Sequence, residues 1–389
     1  MQTFTSPFGE LKLQRMPLTR DEPLRAWDAA DEYLLTHLYK HPEQLNNAKR
    51  VGILNDQFGA LASALSLRKK TMDSTNTRQE IICWGDSKLS ELAIDHNSRL
   101  NALGQTIQTL PSTQQPSGDF NLLMIKIPKV LGLLEHQLIG LKKTINEKTI
   151  IIAAGMTRHI HNSTLAVFER IIGSTTTSLA AKKARLIYVK PQQRDTVLSP
   201  FPIIYKEPSL KVTLTNHANV FSKDKLDIGA RFFIENFKKL PNAEHIIDLG
   251  CGNGVLTVMA SKSQPKAQFH LVDESYMAIE SARQNIQQSL TLEQCHFYIS
   301  DCLSQYTGPK VDLILCNPPF HQQHALGDQI AWRMFKQSAN KLNNGGQLWV
   351  VANRHLGYHH KLKRLFKFCV TIASNKKFVI LQASQKSPN

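Results

Sequence analysis

The chain has 389 residues, 42% hydrophobic, 20% charged and 7% aromatic, with 47 lysines and arginines against 31 acids and a net charge of +16. That composition excludes a disordered, coiled-coil or collagenous chain, and the length suits two domains or one large one. The N-terminus is polar, no apolar run approaches about 18 residues, and the six cysteines form no CxxC pair, so we expect a reduced cytoplasmic protein without leader, membrane span or structural zinc.

The charge is uneven. Residues 1–120 carry 13 basic and 14 acidic groups, 121–211 carry 14 and 5, 212–340 carry 11 and 12, and 341–389 carry 9 and none. Two basic blocks between neutral ones predict polyanion-facing surfaces, since paired phosphates release counterions; a solvated basic face is the plain alternative.

In chain order, the apolar runs Val51 to Leu61, Leu123 to Pro128, Ile150 to Gly155 and Arg185 to Tyr188 return as Ile246 to Leu256, Leu313 to Pro318, Leu348 to Asn353 and Lys377 to Ile380, at offsets of 195, 190, 198 and 192. Each resembles a strand buried on both faces, and helical patterns separate them, at Asp224 to Lys238, Ser275 to Gln288 and Gln329 to Leu342 in the second half. The expected fold is α/β, a doubly wound, mostly parallel sheet present twice: a domain over 1–190, a linker and lead-in strand over 191–211, and a domain over 212–389. Between the first two runs, the polar stretch 104–119 predicts a strand with a long exposed loop.

The chemistry concentrates in the second half. Asp248-Leu249-Gly250-Cys251-Gly252-Asn253-Gly254 joins a strand to the helical start Val255 to Ser261, and its glycines permit a tight turn close to a ligand. Asp273 ends the next strand, 19 residues past Gly254, where an acid accepts both ribose hydroxyls. Asp301-Cys302 follows a third strand and would meet an adenine. Asn317-Pro318-Pro319-Phe320 closes the strand Val311 to Cys316. An exocyclic amine on an aromatic ring is a poor nucleophile, and two acceptors, the Asn317 side-chain oxygen and the Pro318 carbonyl, would draw it towards tetrahedral geometry. The prolines present carbonyls only, and Phe320 offers a face for a flipped base.

These motifs in this order resemble the class I S-adenosylmethionine-dependent methyltransferases that modify exocyclic amines. VFSKDKLDIGARFF at 220–233 resembles the lead-in of the small methyltransferase domain group. The tandem plan, with NPPFHQQHAL at 317–326 and VANRHLGYHHKLKRLF at 351–366, resembles the bacterial large-subunit ribosomal RNA guanine-N2 methyltransferase G family. The resemblance implies two tandem Rossmann-like domains, the first degenerate, S-adenosylmethionine as cofactor, and transfer to the N2 amine of one guanine of 23S rRNA, conventionally numbered 1835. Asn55-Asp56-Gln57-Phe58-Gly59 keeps one glycine of three, and Ile127-Pro128-Lys129 stands for Asn317-Pro318-Pro319, so the first domain is expected to bind RNA instead, through Lys126, Lys129, Lys142, Lys143, Lys182, Lys183 and Arg185. Arg354, Lys361, Lys363, Arg364 and Lys367 are expected to hold phosphates beside the catalytic pocket.

The small-subunit 16S guanine-N2 enzymes share this plan and are the nearest alternative. Adenine-N6 DNA or protein-glutamine methylation, and a non-enzymatic RNA-binding factor, are lesser ones. Cys316 precedes the prolines, the reverse of the order a cytosine-C5 enzyme needs, and the histidines at 321, 324, 355, 359 and 360 lack a carboxylate or cysteine partner for a metal.

Overall fold

The computed structural model describes residues 1–19, 22–71, 79–104, 107–193, 197–288, 292–319 and 324–387, which divide into two compact units, Met1–Pro200 and Phe201–Asn389. In the first unit the strands are β1 (Gln2–Ser6), β2 (Gly9–Leu13), β3 (Arg50–Leu54), β4 (Glu80–Gly85), β5 (Ile107–Pro111), β6 (Leu122–Lys126), β7 (Ile150–Met156), β8 (Gly173–Thr177) and β9 (Ala184–Pro191). The helices are α1 (Ala29–Lys40), α2 (Pro42–Asn46), α3 (Ala60–Thr71), α4 (Lys88–Leu100), α5 (Leu131–Leu141) and α6 (Asn162–Ile171). The second unit has strands β10 (Ile203–Glu207), β11 (Val212–Asn216), β12 (His245–Leu249), β13 (Gln268–Asp273), β14 (Cys295–Ile299), β15 (Val311–Cys316), β16 (Leu342–Asn353), β17 (Phe368–Ser374) and β18 (Phe378–Ser384). Its helices are α7 (Ile228–Ile234), α8 (Val255–Ser261), α9 (Tyr276–Gln287), α10 (His324–Lys341) and α11 (Tyr358–Leu362).

Each unit opens with an antiparallel pair, β1–β2 or β10–β11, and then builds one main sheet. The strand orders are β5-β4-β3-β6-β7-β9-β8 and β14-β13-β12-β15-β16-β18-β17, the same topology twice. In both, the first five strands run parallel, the sixth (β9 or β18) is antiparallel to both its neighbours, and the last (β8 or β17) therefore runs in the direction of the first five. The central strands are near-continuous Ile, Leu and Val because helices cover both faces. Accordingly each sheet separates two apolar clusters, one around Leu34, Ile53 and Met124 and another around Leu123, Ile125 and Phe168 in the first unit. The second unit repeats this around Phe233, Leu315 and Trp349 and around Ile314, Cys316 and Phe335.

The strand register corrects the repeat by one residue at its second and third runs and by two at its fourth, where Leu186 and not Tyr188 corresponds to Ile380. Val51 pairs with Leu122 across β3–β6, and its counterpart Ile246 pairs with Leu313 across β12–β15. Leu122, not Leu123, therefore corresponds to Leu313, and the residue that corresponds to Asn317 is Lys126, not Ile127. The helix expected from Asp224 to Lys238 is also shorter. The Asp227 side chain accepts from the Ala230 N–H and so caps α7, and Asn236 Nδ2 donates to the Phe232 carbonyl before a 3-10 turn at Phe237–Lys239.

Candidate active site

In the second unit, β12 delivers Asp248 to a turn in which Gly250, Gly252 and Gly254 have φ of 75°, 55° and 77°, a region that side chains with a Cβ rarely adopt. A Cβ at Gly254 would lie 3.0 Å from that of Ala282 on α9, whereas one at Gly252 would meet nothing within 4 Å. Gly254 thus permits close helix packing and Gly252 leaves the face of the turn open. Asp273 Oδ2 accepts from the Gly252 N–H at 2.9 Å and Oδ1 from the Ser275 N–H at 3.0 Å, so the carboxylate is oriented by backbone donors beside that open face. Asp248 lies beneath the turn, its Oδ2 accepting from the Thr257 N–H (3.2 Å) and Oγ1–H (2.9 Å). Burial, with the nearby Asp273 charge adding to it, pushes its carboxyl up to about 7 despite the Thr257 donors. Asp248 Oδ2 thus supports the turn, while its Oδ1 is buried with no donor among the described residues.

Asp301 and Cys302 follow β14, where Cys302 has a φ of 51°. Arg333 on α10 forms an ion pair with Asp301 and donates to Cys302 Sγ at 3.1 Å. No local motif announced Arg333. It ties α10, the helix that follows β15, to the loop expected to meet an adenine.

Asn317 leaves the end of β15 with Nδ2 donating to Asp227 Oδ2 at 3.4 Å. A carboxylate accepts only the NH2 end of an amide, so Asp227 sets which way the amide faces. The other end, Oδ1, is buried with no donor among the described residues. An acceptor left without a donor at the end of a central strand is what an amine substrate requires. Pro318 is buried and Pro319 half-buried, while Phe320 lies outside the described residues. Asp227 was hidden inside a run that reads as helix, and its signal was its place as an Asp three residues before Ala230, an N-cap spacing.

The first unit keeps the frame of this site and fills it. Asn55 (φ 60°) and Gly59 (φ 78°) retain the left-handed conformations of Gly250 and Gly254. Asn55 and Gln137 of α5 exchange two amide hydrogen bonds of 2.9 Å. Asp56 Oδ2 accepts from the Ala62 N–H, as Asp248 does from the corresponding Thr257, and burial with the Asp31 charge raises its carboxyl to about 7. At the place of Asn317, Lys126 Nζ lies 2.6 Å from both Asp28 and Asp31, with its side chain 13% exposed. Asp28 caps α1 as Asp227 caps α7. Lys126 is therefore an internal counter-ion rather than a surface cation: two of its three N–H donors and its charge are committed to two carboxylates.

The remaining basic residues differ in availability. Lys129, Lys143 and Lys183 are exposed, Lys142 and Arg185 half-buried, and Lys182 is exposed but paired with Glu32 at 2.8 Å. In the second unit Arg354, Lys363, Arg364 and Lys367 are exposed around α11, while Lys361 pairs with Asp328. Among the described residues no helix is long and apolar enough to cross a membrane, and no three His, Cys, Asp or Glu side chains are grouped to hold a metal ion.

A family model described as the RLMG N-terminal domain matches residues 1–193, and one described as the methyltransferase small domain matches residues 211–382. The protein named ribosomal RNA large subunit methyltransferase G in Ectopseudomonas mendocina is 43% identical over 386 residues, covering 99% of this chain and 100% of its own. Its namesake in Colwellia psychrerythraea is 44% identical over 398 residues, covering 98% and 100%. Among solved structures, the T. thermophilus 16S rRNA N2 G1207 methyltransferase, in complex with AdoMet and guanosine, shares the fold at a TM-score of 0.75 and 17% identity, covering 99% of this chain and 98% of that one.

Proposed function

We propose, on the premise that this chain belongs to the ribosomal RNA large subunit methyltransferase G family, that it methylates the N2 amine of guanine 1835 in 23S rRNA, in the cytoplasm, using S-adenosylmethionine. The observation that carries the reading is the buried, donor-free Oδ1 of Asn317, aimed by Asp227.

The second unit fits the cofactor: Gly252 leaves the turn open, Asp273 is held to accept ribose hydroxyls, and the Asp301-Cys302 loop, whose side chains Arg333 binds, is the segment that meets the adenine. When bound, S-adenosylmethionine supplies an already activated methyl group. The chain's own work is then positioning. Asn317 Oδ1 and the Pro318 carbonyl accept the two N2–H bonds, which localises the nitrogen lone pair out of the ring plane and directs it away from the acceptors. No strong base is needed, because an N-methylated, positively charged aryl amine gives up its proton to water.

The first unit, whose counterpart site is filled, is read as the RNA-binding domain, with Lys129, Lys142, Lys143, Lys182, Lys183 and Arg185 contributing and Lys126 excluded by its ion pairs. The exposed cations around α11 serve the same purpose on the catalytic unit.

The test is transfer of labelled methyl groups to protein-free 23S and 16S rRNA, followed by nucleoside mass spectrometry and position mapping. N2-methylguanosine at 1835 of 23S rRNA is expected; its absence there, or label in 16S rRNA alone, overturns the reading. Asn317→Ala should lower the rate about 100- to 1,000-fold while cofactor binding persists.

A further inference from the structure

A second asparagine at the same edge of the catalytic sheet is buried without a partner. Asn353 ends β16, is 8% exposed, and its Oδ1 has no hydrogen-bond donor among the described residues. Leaving such an acceptor dry is costly unless a donor arrives from outside the chain.

Its position follows from the register. Leu315 pairs with Trp349 and Cys316 with Val350 across the parallel β15–β16 ladder. Leu315, Trp349 and Val351 belong to the apolar cluster on one face of the sheet, Cys316 and Val350 to the cluster on the other. Alternation then places Asn317 and Asn353 on the face of Leu315 and Trp349, one strand apart and about 7 Å along it. Helix α7 covers this face through Ala230, Phe233 and Ile234. Phe378, which pairs with Asn353 across β16–β18, would lie 3.2 Å from a Cβ at Gly229, two residues after Asp227. Two unpaired amide oxygens and the carboxylate that aims one of them thus share one end of one face.

We infer that Asn353 is a specificity residue whose Oδ1 accepts the N1–H of the target guanine while Asn317 and Pro318 hold its N2 amine. Guanine presents N1–H and N2–H2 side by side as donors, and a row of acceptors matches that edge. Adenine offers a lone pair at N1, which would face the Asn353 oxygen with no proton between them. The inference rests on the guanine-N2 reading above and adds how the base is told from other amine-bearing rings.

The test compares guanine with 2-aminopurine, which keeps the N2 amine but has a lone pair at N1, each placed at position 1835 of a synthetic 23S rRNA fragment. Wild-type enzyme should prefer guanine by roughly 10- to 100-fold in kcat/KM, the usual effect of one hydrogen bond lost at a buried acceptor. Asn353→Ala should lose most of that factor on guanine and less than about threefold on 2-aminopurine, with Asn353→Ser in between and S-adenosylmethionine affinity unchanged in both. Equal losses on the two bases overturn the role of Asn353, as does a wild-type enzyme that methylates both bases equally well, a result that needs no variant to fold. If wild type leaves guanine N2 unmethylated, the underlying reading falls and this one with it.

Discussion

Replacing Lys126 by methionine removes the cation that pairs with both Asp28 and Asp31, at 2.6 Å from each. The two acids are not equivalent. Asp28 is 48% exposed at its side chain and Asp31 9%. Burial works against ionising Asp28, but Lys126 and the backbone donors outweigh it and hold its pKa low. Burial raises Asp31 even with Lys126 present, and Asp28 adds to the rise. Lys126 itself is raised, the two carboxylates outweighing its desolvation. In the variant, Asp31 keeps its proton in the folded chain while the unfolded chain ionises it near pH 3.9, so the deficit grows as pH rises. If Asp31 stays protonated throughout, this costs the variant about 4 kcal/mol at pH 7 and about 1.5 at pH 5, at about 1.36 kcal/mol per pH unit, and the deficit against wild type is smaller by what burial already costs Asp31 beside Lys126. Urea unfolding of the full chain, followed by hydrogen exchange in β3, β6 and α1, reads the loss in this unit alone. Asp31→Asn in the same chain should recover most of it. The reasoning fails if Lys126→Met is as stable as wild type at pH 7, if its deficit does not shrink at pH 5, or if it weakens 23S rRNA binding with a shallower salt dependence, the mark of a lost phosphate contact.

Asp227→Ser keeps an N-cap oxygen for α7 but is too short to reach Asn317, so transfer should slow by about 10- to 100-fold, as for loss of a charge-assisted hydrogen bond, with cofactor affinity unchanged; steady-state kinetics in an Asn317→Ala background should show no further loss. Because burial raises Asp248 to about 7, the folded chain holds a proton that the unfolded chain releases, and stability falls as pH climbs from about 4 through 7. Asp248→Asn should flatten that slope in unfolding measured from pH 5 to 8. Reversing Lys363, Arg364 and Lys367 to glutamate should weaken rRNA binding, reducing the slope of log affinity against log salt by about one per lost phosphate contact. Filter binding across salt concentrations checks it, and calorimetry should show the cofactor site intact.

Much of the site was legible locally. A strand followed by three glycines, an acid ending the next strand and Asn-Pro-Pro ending the fourth are runs in which the backbone demands particular residues at fixed spacing, so Gly250, Asp273 and Asn317 stand where their motifs say. The repeat was legible too, but only to within one or two residues. Apolar strands offer little to distinguish one register from the next, and with a side-chain period of two a slip of one moves every residue to the other face. That slip hid Lys126 at the place of Asn317 and made it look like a surface cation, when hydrogen bonding commits it to acids 98 and 95 residues away.

What the sequence by itself determined is a doubled α/β frame whose second copy carries a glycine-rich turn and an Asn-Pro-Pro strand end. Only the tertiary structure decided which groups complete them: Asp227 sits 90 residues from Asn317, and Arg333 lies 32 from Asp301. Asn353 is brought beside Asn317 by the β15–β16 ladder. The physical reason is that a hydrogen bond from a helix cap to a strand end depends on how the helix lies on the sheet, and that is set by the packing of whole apolar faces rather than by any spacing along the chain.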